Sequence, residues 1–113
     1  LFADLDNSSR LAQEEIFGPI AVVMGYDTDE EAIAIANDSD FGLACYILSA
    51  DAGRAYEMAQ QINTGRCAIN GGAGTQLSDE PFGGNKMSGF GRENGIEGLL
   101  EFTNANAISF HAA

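Results

Sequence analysis

The sequence predicts an α/β fold built on a parallel β-α-β-α-β unit, and three observations support this expectation. Strand-length segments at 20–24, 43–48 and 66–70, of which the first two are apolar throughout, alternate with two helical patterns. The links between these segments are short, which favours parallel strands joined by right-handed crossovers. The run at 43–48 has no polar alternation, as expected for a strand covered on both faces of a parallel sheet.

The segments before the middle strand are marked by turn and capping signals. Residues 1–5 form a short strand candidate, and 11–13 could give one helical turn. After the strand at 20–24, Thr28 precedes Glu31 by three positions, which is a capping-box pattern. We therefore expect the first long helix to begin next to Thr28.

Capping and periodicity signals also mark the second helix and the C-terminal part of the chain. Asp51 is the expected N-cap of the second helix, and Gly65 follows the end of that helix. Residues 71–80 have no periodicity and leave the carboxyl end of a strand, where open α/β sheets bind ligands. A helix is expected over 94–102, and the alternating residues 105–110 predict a final strand. The chain thus divides into 1–104 and a terminal strand and tail, 105–113.

Composition excludes several classes of partner. The formal net charge of −12 repels phosphate, so we expect no nucleic acid and no anionic membrane surface as partners. No apolar run reaches membrane-spanning length. Two cysteines do not make a disulfide framework, so a reducing, cytoplasmic location is expected. The 113 residues allow at most one domain that buries about two thirds of its unfolded surface, and a start at Leu1 without Met suggests a piece of a longer protein.

The segment 14–19, Glu-Glu-Ile-Phe-Gly-Pro, is the main candidate binding element. Pro19 fixes its own φ and restricts Gly18, so the chain bends here reproducibly. A carboxylate and an aromatic ring at a fixed turn before a buried strand suit a polar ligand with a flat, stackable part. A surface loop with two solvated glutamates is the alternative, and the residues alone leave both open.

The remaining candidates do not form a catalytic centre. Cys45 and Cys67 lie inside apolar strand patterns, which favours a core role, and the only histidine, His111, lies near the end of the chain. A metal site would need ligands that the sequence does not offer. Lys86 and Arg92 either anchor backbone carbonyls and carboxylates or contact a ligand. We therefore predict no catalytic residue and no metal site.

Two motifs together resemble the carboxyl-terminal part of the aldehyde dehydrogenase superfamily. The first is 14–19, and the second is Pro-Phe-Gly-Gly-x-Lys-x-Ser-Gly-x-Gly-Arg-Glu at 81–93. Their order and spacing match the family, and the similarity extends from Leu1 to about Phe110. The resemblance implies that 1–104 is part of the catalytic domain and that 105–113 is an oligomerisation strand and tail of a homo-oligomer.

The resemblance also implies a role for individual residues in an enzyme that oxidises an aldehyde to a carboxylic acid with NAD or NADP. Glu15 would bind hydroxyls of the nicotinamide ribose, and Phe17 would contact the nicotinamide side of the cofactor. Phe82 would line the aldehyde tunnel, with Thr75 in its variable wall. The family's nucleophilic cysteine and general-base glutamate would precede Leu1, so the isolated chain is expected to be inactive. A stand-alone, non-catalytic binding or assembly module is the alternative.

Overall fold

The computed structural model describes residues 1–71 and 79–111. Short strands alternate with short helices along the chain. In order, these elements are β1 (Phe2–Ala3), α1 (Arg10–Gln13), β2 (Val22–Val23), α2 (Asp29–Asn37), β3 (Phe41–Gly42), β4 (Ala44–Ile47), α3 (Ala52–Ala59), β5 (Arg66–Ile69), β6 (Asn85–Lys86) and α4 (Gly95–Leu100).

The second half of the expected unit is present. Strands β4 and β5 pair in parallel from Ala44↔Arg66 to Ile47↔Ile69, and α3 connects them. Helix α3 packs on both strands, and its Ala55 is fully buried. The parallel pairing of these two strands was predicted from their apolar runs and short links.

The first half of the expected unit differs from the prediction. Strand β2 pairs in parallel with β1, Phe2 opposite Val22, in a sheet separate from β4 and β5. A continuous β-α-β-α-β sheet is therefore wrong for the described residues. The apolar run at 20–24 identifies a strand, but its pattern does not specify a partner, and β1 supplies one.

An antiparallel pair that the sequence did not reveal connects distant segments. Strand β3 pairs with β6, with Phe41 opposite Lys86 and Gly42 opposite Asn85. Each strand has only two residues, which is too short to produce a periodic pattern. This pair nevertheless brings the second motif against the start of the β4–β5 sheet.

The predicted helix caps are confirmed. The Thr28 hydroxyl accepts a 3.2 Å hydrogen bond from the Glu31 amide, and the Asp51 carboxylate accepts one of 3.0 Å from the Arg54 amide. The reciprocal bond differs from the ideal capping box, because the Glu31 carboxylate accepts from the Asp27 amide. Arg54 also pairs with Asp29 through two side-chain bonds, which tie α3 to the start of α2.

The chain exposes more surface than a compact domain of its size. Its accessible area is 8641 Å², whereas a compact 11.9 kDa protein is expected to expose about 6,000 Å². Strand β4 alternates between exposed and half-buried residues, so the expected cover on both faces is absent among the described residues. The expected burial of about two thirds of the unfolded surface is therefore not reached by this chain.

The C-terminal segment also departs from expectation. Helix α4 spans Gly95–Leu100 and is shorter than the predicted 94–102. Within the described range, residues 105–110 form no strand, and Ile108 and Phe110 are 85% and 90% exposed. A strand needs a hydrogen-bonding neighbour, and no described strand of this chain lies beside this segment. Among the described helices, none is long and apolar enough to cross a membrane.

Candidate functional site

The two glutamates of the first motif have different surroundings. Glu14 follows α1 directly, and its carboxylate accepts two hydrogen bonds from Arg10, of 2.7 and 3.1 Å. The Arg10 hydrogen bond lowers the pKa of Glu14. Across residues 1–71 and 79–111, no hydrogen bond or ion pair occupies the Glu15 carboxylate. Glu15 is thus the carboxylate of the pair that is free to accept hydrogen bonds from a ligand.

The turn after Glu15 presents an aromatic ring to solvent. The Ile20 amide donates a 2.8 Å hydrogen bond to the Gly18 carbonyl, which closes a tight bend around Pro19. Phe17, immediately before this bend, is 95% exposed. The tight turn fixes the backbone that carries this ring, and the exposed face of the ring is available for stacking of a planar group.

Glu15 lines a cavity of about 330 Å³. The walls come from the end of α2, from β3 and the start of β4, and from the segment before β5. The other lining residues are Ala36, Ser39, Phe41, Gly42, Leu43, Ala44, Cys45, Ile62, Thr64 and Ser88. A free carboxylate at a mostly apolar cavity is the usual composition of a small-molecule site with one orienting polar group.

The second motif folds back on itself. Phe82 and Glu93 exchange two backbone hydrogen bonds, of 2.8 and 2.6 Å, in an antiparallel bridge. Behind this bridge, a Cβ on Gly65 would overlap the carbonyl of Gly83. Only glycine at position 65 permits this close approach, which holds the second motif against the residue that precedes β5.

The two cations of the second motif bind backbone carbonyls and an amide side chain. The Lys86 ammonium donates 2.8 Å hydrogen bonds to the carbonyls of Asn37 and Ser39, at and just beyond the end of α2. The Arg92 guanidinium donates to the carbonyls of Gly84 and Gly91 and, at 2.7 Å, to the Asn85 amide oxygen. Their role as anchors of the main chain, one of the two alternatives from the sequence, is the one that the structure supports.

A second cavity, of about 390 Å³, adjoins the first. Phe82 and Arg92 line it, and Leu43 and Ser88 line both cavities. The sequence did not single out Leu43 or Ser88 as site residues. Their position follows from the β3–β6 pairing, in which the Gly42 amide donates to the Ser88 hydroxyl at 3.0 Å.

The structure brings together only some of the predicted site residues. Glu15 and Phe82 line two cavities that share walls, whereas Phe17 lines neither. Thr75 lies outside the described residues.

The two cysteines occupy neighbouring strands, as predicted. Cys45 in β4 lies opposite Cys67 in β5, and both are free, half-buried thiols. Burial, followed by the hydrogen bond with Cys67, raises the pKa of Cys45 to about 11. This shift opposes formation of a nucleophilic thiolate. In the part of the chain that the structure describes, no cluster of three or more acidic, cysteine or histidine side chains could hold a metal ion.

Comparison with known families identifies these motifs. The family model described as "Aldehyde dehydrogenase family" matches residues 1–108. The chain belongs to the aldehyde dehydrogenase family. Among curated relatives, the betaine aldehyde dehydrogenases of Cereibacter sphaeroides and Brucella melitensis are 44% and 43% identical over 108 residues. Each alignment covers 96% of this chain and 22% of the relative, so the chain spans about a fifth of the length of these relatives.

Solved aldehyde dehydrogenases have the same fold over this segment. The Mycobacterium tuberculosis aldehyde dehydrogenase, in complex with NAD+, superposes with a TM-score of 0.85 at 50% identity. That match covers 90% of this chain and 21% of the solved one. Aldehyde dehydrogenase C of Pseudomonas syringae, solved as a mutant with NAD+ and octanal, superposes with a TM-score of 0.83 at 41% identity. That match covers 88% of this chain and 20% of the solved one. The mixed α/β architecture described above is therefore that of a family segment.

Proposed function

We propose that this chain is the part of an NAD(P)-dependent aldehyde dehydrogenase that forms one side of the cofactor site and one wall of the aldehyde tunnel. The observation that supports this most directly is that Glu15, whose carboxylate is free, lines a cavity, whereas the carboxylate of the adjacent Glu14 is already bound by Arg10. Family membership and relatives solved with NAD+ are consistent with this assignment.

Glu15 fits a cofactor that presents neighbouring hydroxyl groups. A carboxylate has four lone-pair sites and accepts hydrogen bonds from two hydroxyls at once. The nicotinamide group accepts hydride when it is bound, and in this proposal Glu15 fixes the ribose that carries it. Charge-assisted hydrogen bonds of this kind are about twice as strong as neutral ones. They therefore both bind the ribose and fix its orientation.

The aromatic residues have separate roles. Phe17, exposed at the turn, contacts the nicotinamide side of the cofactor and limits its tilt. Phe82 lines the other cavity and forms part of the aldehyde tunnel, to which Thr75 contributes from the variable loop. An apolar ring in the tunnel favours the carbon chain of the aldehyde and excludes water from the reacting end.

The nucleophile and general base come from outside this chain in our proposal. Cys45 lies within a strand, its pKa is raised, and the only histidine, His111, is near the C-terminus. Cys45 therefore lacks the activated environment that a nucleophilic thiol requires.

The terminal segment 105–113 serves in our proposal as an oligomerisation strand. Ile108 and Phe110 are two positions apart and both exposed, so in an extended conformation they share one face. A second copy of the protein would supply the hydrogen-bonding edge and cover that face.

The proposal can be tested in a hybrid enzyme, in which residues 1–108 replace the matching segment of the M. tuberculosis aldehyde dehydrogenase. We expect aldehyde-dependent reduction of NAD+ by this hybrid. Glu15→Gln should lower cofactor affinity or turnover by about ten- to a hundredfold, because it removes a charge-assisted interaction worth roughly 1.5–3 kcal/mol. Phe17→Ala should lower turnover more than cofactor binding, because the ring orients the nicotinamide.

Glu14→Gln is the matched control, since it removes the same charge from a glutamate that already has a partner. It should leave the steady-state constants within about twofold. Equal damage from Glu14→Gln and Glu15→Gln, or no effect of either, would contradict the assignment. An inactive hybrid that still folds would favour a stand-alone binding module.

A further inference from the structure

The two cysteines of this chain lie side by side on adjacent strands. Cys45 and Cys67 are register partners in the middle of the β4–β5 ladder. Both are free in the structure, and both are half-buried rather than enclosed. The proposed function uses neither of them.

Their register brings the two backbones within the range that a disulfide requires. Adjacent strands lie about 4.8 Å apart, and bridged cysteines have Cα atoms 4.4–6.8 Å apart, so no strand has to move along the chain. The ladder and the packing of α3 hold the pair in register. Directly opposite side chains on parallel strands do not have the ideal Cβ separation, which makes such a bridge more easily reduced.

Other uses of the pair fit less well. No third ligand from residues 1–71 or 79–111 joins the two thiols in a metal cluster. A catalytic nucleophile must be ionised near neutral pH, which the raised pKa of Cys45 opposes, whereas slow exchange with a small disulfide proceeds through a minor thiolate fraction. Cys45 also lines the cavity that contains Glu15, so a small reagent can approach this side of the pair.

We propose that Cys45 and Cys67 form a redox-active dithiol site, which a low-molecular-weight disulfide converts reversibly to an intrachain disulfide. One cysteine loses its proton to solvent, and its thiolate attacks the small disulfide, forms a mixed disulfide and releases a small thiolate that takes up a proton to give the first small thiol. The second cysteine loses its proton to solvent, attacks the protein sulfur of the mixed disulfide and releases the second thiol. Two protein thiols are oxidised by two electrons, and the small disulfide is reduced to two thiols.

The bridge joins β4 to β5 covalently and encloses α3 in the loop between them. It forms at the wall of the Glu15 cavity, so oxidation would fix this wall in place. Because the site depends on the folded register, an unfolded chain should form the bridge much less readily.

The test is to incubate the hybrid enzyme with oxidised glutathione, block free thiols with iodoacetamide and determine the masses of the peptides that contain Cys45 and Cys67. We expect these two peptides to be cross-linked within one subunit, with loss of two hydrogens and no alkylation at either cysteine. Dithiothreitol should restore two alkylatable thiols. In Cys45→Ala and in Cys67→Ala, the remaining cysteine should end as a mixed disulfide with glutathione or as an unmodified thiol.

A parallel incubation in urea separates the folded register from simple proximity along the chain. Both incubations use the same mixture of reduced and oxidised glutathione. The amount of bridged protein, divided by the amount of mixed disulfide, should be at least about tenfold higher for the folded chain than for the chain in urea. Stable glutathione adducts without a cross-link, bridges only between chains, or equal ratios in urea and in buffer would overturn the proposal.

Discussion

At the scale of single residues, two chemically identical neighbours have different surroundings. Glu14 is bound by Arg10, whereas Glu15 is free and faces a cavity. The sequence identified the turn and the carboxylate pair, but the residues themselves could not rank the two glutamates. That distinction depends on where α1 ends, because the last helical turn places Arg10 one turn before Glu14.

Cys45 provides a residue-scale test through pH. Burial and the Cys67 hydrogen bond raise the pKa of Cys45 from 9.0 to about 11, so the folded state holds this proton more tightly than the unfolded state. The raised pKa of Cys45 therefore contributes to the free energy of unfolding. This contribution is complete below pH 9 and is lost as the pH rises towards about 11. Urea unfolding across this range should show a steeper loss for the parent chain than for Cys45→Ala. Equal slopes for the two proteins would contradict the shift.

At the scale of elements, helix starts and the β4–β5 pair could be predicted from local signals, but strand partners could not. Thr28 and Asp51 act through amides three residues away, so their caps are visible in the sequence. The β3–β6 pair joins segments more than forty positions apart through two residues on each side. The second cavity depends on that pairing, which explains why Leu43 and Ser88 were not anticipated.

The terminal segment gives the element-scale prediction. If 105–113 pairs with a second copy, the chain should be a dimer or larger in solution, and truncation after Asn104 should reduce its mass by light scattering. The physical reason is the unpaired backbone and the exposed face of Ile108 and Phe110. Double substitution of both residues by serine should weaken association to a similar extent. A monomer that truncation leaves unchanged would contradict this role.

At the scale of the whole molecule, the chain lacks the features of an independent domain. Its radius of gyration is 18.5 Å, against about 13 Å for a compact chain of this length. Apolar side chains in many elements are exposed, and Ala55 is the one described apolar residue that is buried. These surfaces are what a segment would show if other parts of a larger enzyme normally cover it.

The isolated chain should therefore show no aldehyde dehydrogenase activity. In our proposal the nucleophile and the base belong to other segments of the enzyme, and loss of such residues typically lowers the rate by several orders of magnitude. Purified chain, aldehyde and NAD+ or NADP+ should give no reduced nicotinamide above the rate without protein. The exposed apolar surface should also bind a hydrophobic dye that the hybrid enzyme binds more weakly. Turnover that disappears in Cys45→Ala or Cys67→Ala would contradict the assignment of the nucleophile to another segment.

The most direct test of the central claim is a comparison of two cofactors in the hybrid enzyme. NAD+ and an analogue lacking the hydroxyls of the nicotinamide ribose are titrated calorimetrically against the parent hybrid, Glu15→Gln and Glu14→Gln. Glu15→Gln should weaken NAD+ binding by about tenfold or more but change analogue binding by less than about twofold, because the hydrogen bonds are already absent. Glu14→Gln should affect neither cofactor. An equal loss for NAD+ and the analogue in Glu15→Gln would show that this carboxylate does not bind the ribose.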